Sequence, residues 1–187
     1  MQRLDAAALY AEAEKTTGLT DWGADPTFRE GLDRLVDAIE AMPEADLLRA
    51  PFAAEATSLL ATRLRLQDDA NRHPEVLEGQ IVRPMIVTGA PRSGTTWLYE
   101  LLAFDPATRA PRDWEAANPW PAPEIASFDT DPRIAERQAV FDAMVKAVPE
   151  LATIHPWDTR MPQECNCFTN LHFVSSNFWS AYSVPDY

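Results

Sequence analysis

Apolar residues in the first eighty positions recur at helical spacing. In "DPTFREGLDRLVDAIEAM" they fall at Phe28, Leu32, Leu35, Val36, Ile39 and Met42. Steps of three and four place them on one face, which predicts an amphipathic helix. Asp25 and Pro26 ahead of it suit a cap and a first turn. "PFAAEATSLLATRLRLQDDANRH" repeats the pattern through Phe52, Leu59, Leu60 and Leu64, and residues 3–15 predict a weaker, Ala-rich helix. Pro43, Pro51 and Pro74 punctuate the set. Residues 1–80 therefore read as a helical region that packs and carries no chemistry.

At residue 81 the pattern changes. "IVRPMIVTG" is short and β-branched, and it ends at Gly89, which predicts a buried strand with Pro84 near its start. "GTTWLYELLAF" then resumes helical spacing through Trp97, Leu98, Leu101 and Leu102. Downstream, Pro106, Pro111, Pro119, Pro121 and Pro123 predict mostly loop, with a short strand around residues 110–114. Asp131-Pro132 opens a further helix with Ile134, Phe141, Val145 and Val148 on one face. "ATIHPW" suits a strand edge, and the chain is helical again from Pro162.

The strand–turn–helix at 81–104 gives chemical meaning to "GAPRSGTT". Gly89 and Gly94 have the spacing of the phosphate loop G-x-x-x-x-G-K-[ST], and Thr96 fills its last hydroxyl position. Thr95 stands where that motif has lysine, and a cation comes earlier, at Arg92. Backbone N–H groups at a helix start, the hydroxyls of Ser93, Thr95 and Thr96, and a bidentate guanidinium can together hold a phosphate or sulfate. The absent lysine counts against a small-molecule kinase, whose lysine reaches metal-bound β- and γ-phosphates. The bland alternative is a glycine turn joining strand to helix.

Charge and composition narrow the classes. Apolar residues make up 46% of the 187, and charged ones 24%, as in a globular domain. A formal charge of −13 opposes broad nucleic-acid or anionic-membrane binding, while leaving room for one anionic ligand on backbone N–H groups. No run suits a signal peptide or a membrane span. Cys165 and Cys167 are too close to staple a fold, so a reduced, cytoplasmic setting is expected. Cys165, Cys167 and His172 lack a convincing fourth ligand for structural zinc, so no metal is expected. Trp97, Trp114, Trp120 and Trp157 flank the loop and suit either an apolar acceptor pocket or, for Trp97 at least, core packing.

"GAPRSGTTWLYELLAFDP", with "RAPRDWEAANPWP" and "IHPWDTRMPQEC", resembles a bacterial branch of the sulfotransferases that use 3′-phosphoadenosine 5′-phosphosulfate (PAPS). The resemblance implies an α/β fold: a P-loop nucleotide-binding domain of sulfotransferase type, a parallel sheet flanked by helices. It would be incomplete here, with residues 81–187 as its N-terminal half after the helical extension. It implies PAPS as co-substrate without a metal, and a small-molecule, lipid or carbohydrate hydroxyl, or an amine, as acceptor. Pro91, Arg92, Ser93, Gly94, Thr95, Thr96 and Trp97 would then hold the phosphosulfate, with Arg92 stabilising the leaving phosphate oxygen. His155 is the first candidate for the base, Glu115 the second and Glu164 the third. The family's 3′-phosphate site and its basic Gly-rich segment have no counterpart here, and no Arg or Lys follows Arg160. A phosphotransferase and a truncated chain that binds a nucleotide without turnover remain the alternatives.

Overall fold

The computed structural model describes residues 3–90, 93–154 and 158–184. The chain forms two compact units, one from residues 1–79 and 165–187, the other from residues 80–164.

The first unit is helical. It contains α1 (Ala6–Thr17), α2 (Thr27–Glu40) and α3 (Ala45–Arg72), with α8 (Asn166–Asn170) and α9 (Ser176–Tyr182) from the end of the chain. The expected stripes form its core. Phe28, Leu32, Leu35 and Ile39 of α2 are fully buried with Phe52, Leu60 and Leu64 of α3. Phe173, Phe178 and Val184 complete the core from the far end of the sequence. Asp5 caps α1 by accepting from the Ala7 N–H at 3.0 Å, and Gly18 closes it with φ 71°, a left-handed conformation that suits a residue without a Cβ. Pro51, expected to separate two elements, lies inside α3. Its missing N–H removes one bond of the helical ladder, but Phe52 and Ala56 immediately after it are buried and hold the helix in register.

Polar ties join distant parts of the first unit. Glu40, at the end of α2, accepts from the Arg49 Nε and Nη2 at 2.7 and 2.8 Å and from the Leu4 N–H at 2.8 Å. The Arg49 bonds come first in holding its carboxyl far below the ordinary value, at about 2. The Tyr182 hydroxyl donates to Glu55 at 2.5 Å, and burial followed by that carboxylate pushes the phenol well above its ordinary value.

The second unit contains α4 (Thr95–Ala103), α5 (Asp113–Ala117), α6 (Pro132–Ala147) and α7 (Leu151–Ile154). It corrects the expected fold class. Among the described residues there is no parallel sheet and no strand, and the one isolated bridge pairs Arg112 with Pro162 in antiparallel fashion. The physical reason is that a strand exists only through a neighbour that takes its N–H and C=O groups. Residues 81–89 run without helix, and no segment among the described residues pairs with them. Ile81, Val82, Met85 and Ile86 are 86, 71, 62 and 80% exposed, so the expected buried strand is an uncovered apolar segment.

Around 110–114 the pairing is equally short. Asp113 and Trp114 donate to the carbonyls of Met161 and Thr159, and Gln163 donates to Pro111. Pro111 and Pro162 bring no N–H, and the chain turns into α5 at Asp113. "ATIHPW", expected as a strand edge, begins as α7, and its His155-Pro156-Trp157 lies outside the described residues. Of the expected α6 face, Ile134 and Phe141 are buried, but Val148 is exposed.

Candidate functional site

The turn at 89–96 is built by its two glycines. The Ser93 N–H donates to the Ala90 carbonyl at 3.1 Å, which closes a tight turn. Gly94 follows with φ 91°, a value L side chains rarely adopt, and caps α4. Gly89 is needed for space: a Cβ there would lie 2.7 Å from the Ser93 Oγ and 3.0 Å from the Thr95 Cγ2. The hydroxyl-bearing side chains thus fold back over Gly89. The Leu98 N–H is the first to bond backward, to Gly94 at 3.1 Å, so the N–H groups of α4's opening turn point out of the helix end. Partial positive charge and clustered hydroxyls at this end are the chemistry that suits an oxyanion.

Pro91 and Arg92 lie outside the described residues, as does His155. Ser93 and Gly94 are exposed, Thr95 and Thr96 half-buried. Trp97 is 68% exposed, so it does not pack in a core. Trp114, by contrast, is fully buried, with its ring 5.2 Å from that of Phe128 and the Arg133 guanidinium 4.8 Å over it. It supports the unit from inside.

The two glutamates differ in their surroundings. Glu115 is buried, and its carboxylate is taken on both oxygens. Oε1 accepts the Arg112 N–H at 2.7 Å, and Oε2 accepts from the Arg109 Nη2. It therefore caps α5 and anchors a guanidinium. Glu164 is exposed, and its N–H donates to the Gln163 Oε1 at 2.7 Å. Burial raises the Tyr99 phenol on α4, and the Glu164 charge is the next contributor, followed by Glu100. A side-chain hydrogen bond between Tyr99 and Thr96 opposes the rise. Glu164 is thus within electrostatic reach of the helix that the loop opens.

Sequence reasoning passed over Asp113. Its carboxylate is almost fully buried and accepts from the Arg137 Nε at 2.7 Å, the Arg137 Nη2 at 3.2 Å and the Gln163 Nε2. This network joins α5, α6 and the segment that carries Glu164. In sequence, Asp113 falls within the short strand expected around residues 110–114, and nothing local marks it as the centre of a network. Among the described residues no group of His, Cys, Asp and Glu is arranged to hold a metal ion, and no helix is long and apolar enough to cross a membrane.

Free N–H groups and hydroxyls at the start of a helix are a recurring setting for bound oxyanions, and the comparisons with known proteins give that setting its class. The family model for the sulfotransferase family matches residues 84–187, more than half of the chain. Sulfotransferase STF1 from Mycobacterium tuberculosis H37Rv is similar at 28% identity and a TM-score of 0.78, over 98% of this chain and 51% of that one. Sulfotransferase STF9 from Mycobacterium avium is similar at 31% identity and a TM-score of 0.81, over 94% of this chain and 45% of that one. The chain thus spans about half the length of these solved relatives. No curated protein matches it. The chain belongs to the sulfotransferase family.

Proposed function

We propose that this chain forms the phosphosulfate-binding part of a PAPS-dependent sulfotransferase acting on an acceptor hydroxyl or amine. The observation that carries the reading is the turn over Gly89, where the Ser93 and Thr95 side chains crowd the space of a missing Cβ ahead of a free helix end. PAPS, when bound, supplies an activated sulfuryl group on a phosphate oxygen. The N–H groups of α4's first turn and the hydroxyls of Ser93, Thr95 and Thr96 would fix that phosphosulfate. Arg92 would meet the charge that develops on the leaving phosphate oxygen. No lysine is needed, because no metal-bound β- and γ-phosphates are to be held. Positioning and electrostatic stabilisation of this kind supply much of the barrier reduction in group transfer.

The acceptor must give up a proton as it attacks. His155 is the first candidate to take it. Glu164 follows it, supported by its exposure and its reach to Tyr99. Glu115 moves to a positioning role, since both its oxygens are engaged. The acceptor class remains a small molecule, lipid or carbohydrate.

The test is transfer of sulfuryl from PAPS to a panel of phenols, sterols and sugars by the natural protein, with products read by mass spectrometry. Sulfated product without added metal supports the reading, and Arg92→Ala should remove it. Mg²⁺-dependent phosphorylation by ATP would replace it with a kinase. Binding of adenosine 3′,5′-bisphosphate with no turnover on any acceptor would leave a nucleotide-binding chain.

A further inference from the structure

A cleft lies at the end of α4 away from the glycine turn. It encloses about 420 Å³, within the range of about 300–1,000 Å³ that small-molecule sites occupy. Arg109, Arg112 and Arg160 line it, with Phe104 and Met161 as its apolar wall. The helix contributes Glu100, Ala103 and Phe104, from its last turns and C-cap. Nine residues separate Thr95 from Phe104, which at about 1.5 Å rise per residue is roughly 13 Å. The cleft is therefore not the oxyanion end of the helix.

Its guanidinium groups are held before any ligand arrives. Arg112 lies with its Cζ 4.7 Å from the Phe128 ring centre, and its Nη1 donates to the Asp129 Oδ1 at 2.6 Å. Phe128 rests in turn on the buried ring of Trp114. Arg109 is anchored by Glu115, whose other oxygen is fixed by the Arg112 N–H. Arg160 donates to the Asp129 carbonyl at 3.5 Å, and its N–H to the Asp158 Oδ1 at 2.8 Å. A guanidinium carries five N–H donors in a planar fork, so one bond to a neighbour leaves others for an oxyanion. Side chains already fixed lose less freedom on binding.

We propose that this cleft binds an organic anion of single charge, a sulfate monoester or sulfonate on an apolar body. The sulfate oxygens would meet Arg109, Arg112 and Arg160, and the body would lie on Phe104, which is 82% exposed, and Met161. The carboxylates of Glu100 and Asp158 on the same wall oppose a second negative charge. That disfavours phosphate monoesters, which are dianions at neutral pH, and favours sulfate monoesters, which are not. The binding claim stands on the cleft alone. That the ligand is the product class of the enzyme's own reaction rests on the function proposed above.

The experiment is calorimetric titration of the protein, without donor, with 4-nitrophenyl sulfate, 4-nitrophenyl phosphate and 4-nitrophenol. The sulfate ester should bind at least about tenfold more tightly than the other two, as expected for a charge-assisted bidentate contact. Arg112→Gln should weaken it about tenfold or more. Phe104→Ala, at an exposed position where folding is undisturbed, should weaken all three probes alike. Saturating adenosine 3′,5′-bisphosphate should not displace the sulfate ester, whether or not sulfuryl transfer is ever detected. The proposal is overturned by equal binding of the phosphate ester or the phenol, by a Phe104→Ala variant that binds as well as the parent, or by competition with the bisphosphate.

Discussion

Glu115 and Arg109 form an ion pair in which the carboxylate is buried, while the guanidinium reaches into a cleft and is 63% exposed. The acid is the anchor and the base is the exposed partner. Glu115→Ala removes the cap on α5 and frees Arg109. A destabilisation of about 1–3 kcal/mol is expected, from the lost cap and the unsatisfied Arg112 N–H. Urea denaturation reads it. If Glu115 were instead the base, Glu115→Gln would fold normally and lose turnover by orders of magnitude.

Gly94→Ala addresses the loop. No neighbour lies within 4 Å of a Cβ there, so the cost is conformational alone, about 1–2 kcal/mol for an L residue at positive φ. The strain falls at the start of α4. The expected outcome is a loss of affinity for adenosine 3′,5′-bisphosphate of about tenfold, with little change in the far-UV circular dichroism.

Gly31→Ala is a steric test in the other unit. The new Cβ would lie 2.6 Å from the Phe173 carbonyl oxygen and 2.7 Å from that of His172. Both are backbone atoms, so α2 or the 172–173 segment must move. Overpacking of this kind costs about 1–3 kcal/mol, which outweighs the gain in helix propensity of up to about 1 kcal/mol. Thermal unfolding should show a lower midpoint. A Tm at or above that of the parent would show that α2 does not pack as described.

Stability should fall with acid partly through Glu40. Its carboxyl titrates at about 2 in the folded chain against an ordinary value of 4.5. A depressed folded value means that the stabilising contribution is complete above the unfolded value and is lost as pH falls from 4.5 through about 2. Asp131, lowered mainly by its bonds from Arg133, acts in the same direction. Comparing Glu40→Gln with the parent across that window isolates one carboxylate, and the variant should show the shallower decline. Parallel curves would mean that Arg49 does not hold Glu40 in solution.

The helical stripes were legible because their signal is local. Phe28, Leu32, Leu35, Phe52 and Leu60 face the core wherever a 3.6-residue period is buried. The turn from Gly89 to Gly94 was legible for the same reason: a positive φ and a missing Cβ are properties of single residues. The strands were not, because a strand is a relation between two segments. "IVRPMIVTG" has the composition of a buried strand but no pairing partner among the described residues. Trp97 and Trp114 likewise look interchangeable in sequence, yet one is 68% exposed and the other fully buried.

By itself, then, the sequence determined the helices of the first eighty residues with their apolar faces, the glycine turn ahead of α4, and the placing of Thr95 where a nucleoside-triphosphate loop has lysine. Each depends on residues within one or two turns of chain. Only the tertiary structure decided that Glu115 is spent on Arg109 and Arg112, that Asp113 ties Arg137 to Gln163, and that Arg109 and Arg112 lie over Phe128. Those pairings join residues up to 50 positions apart in sequence. No local periodicity encodes them, because which donor meets which acceptor is settled by packing.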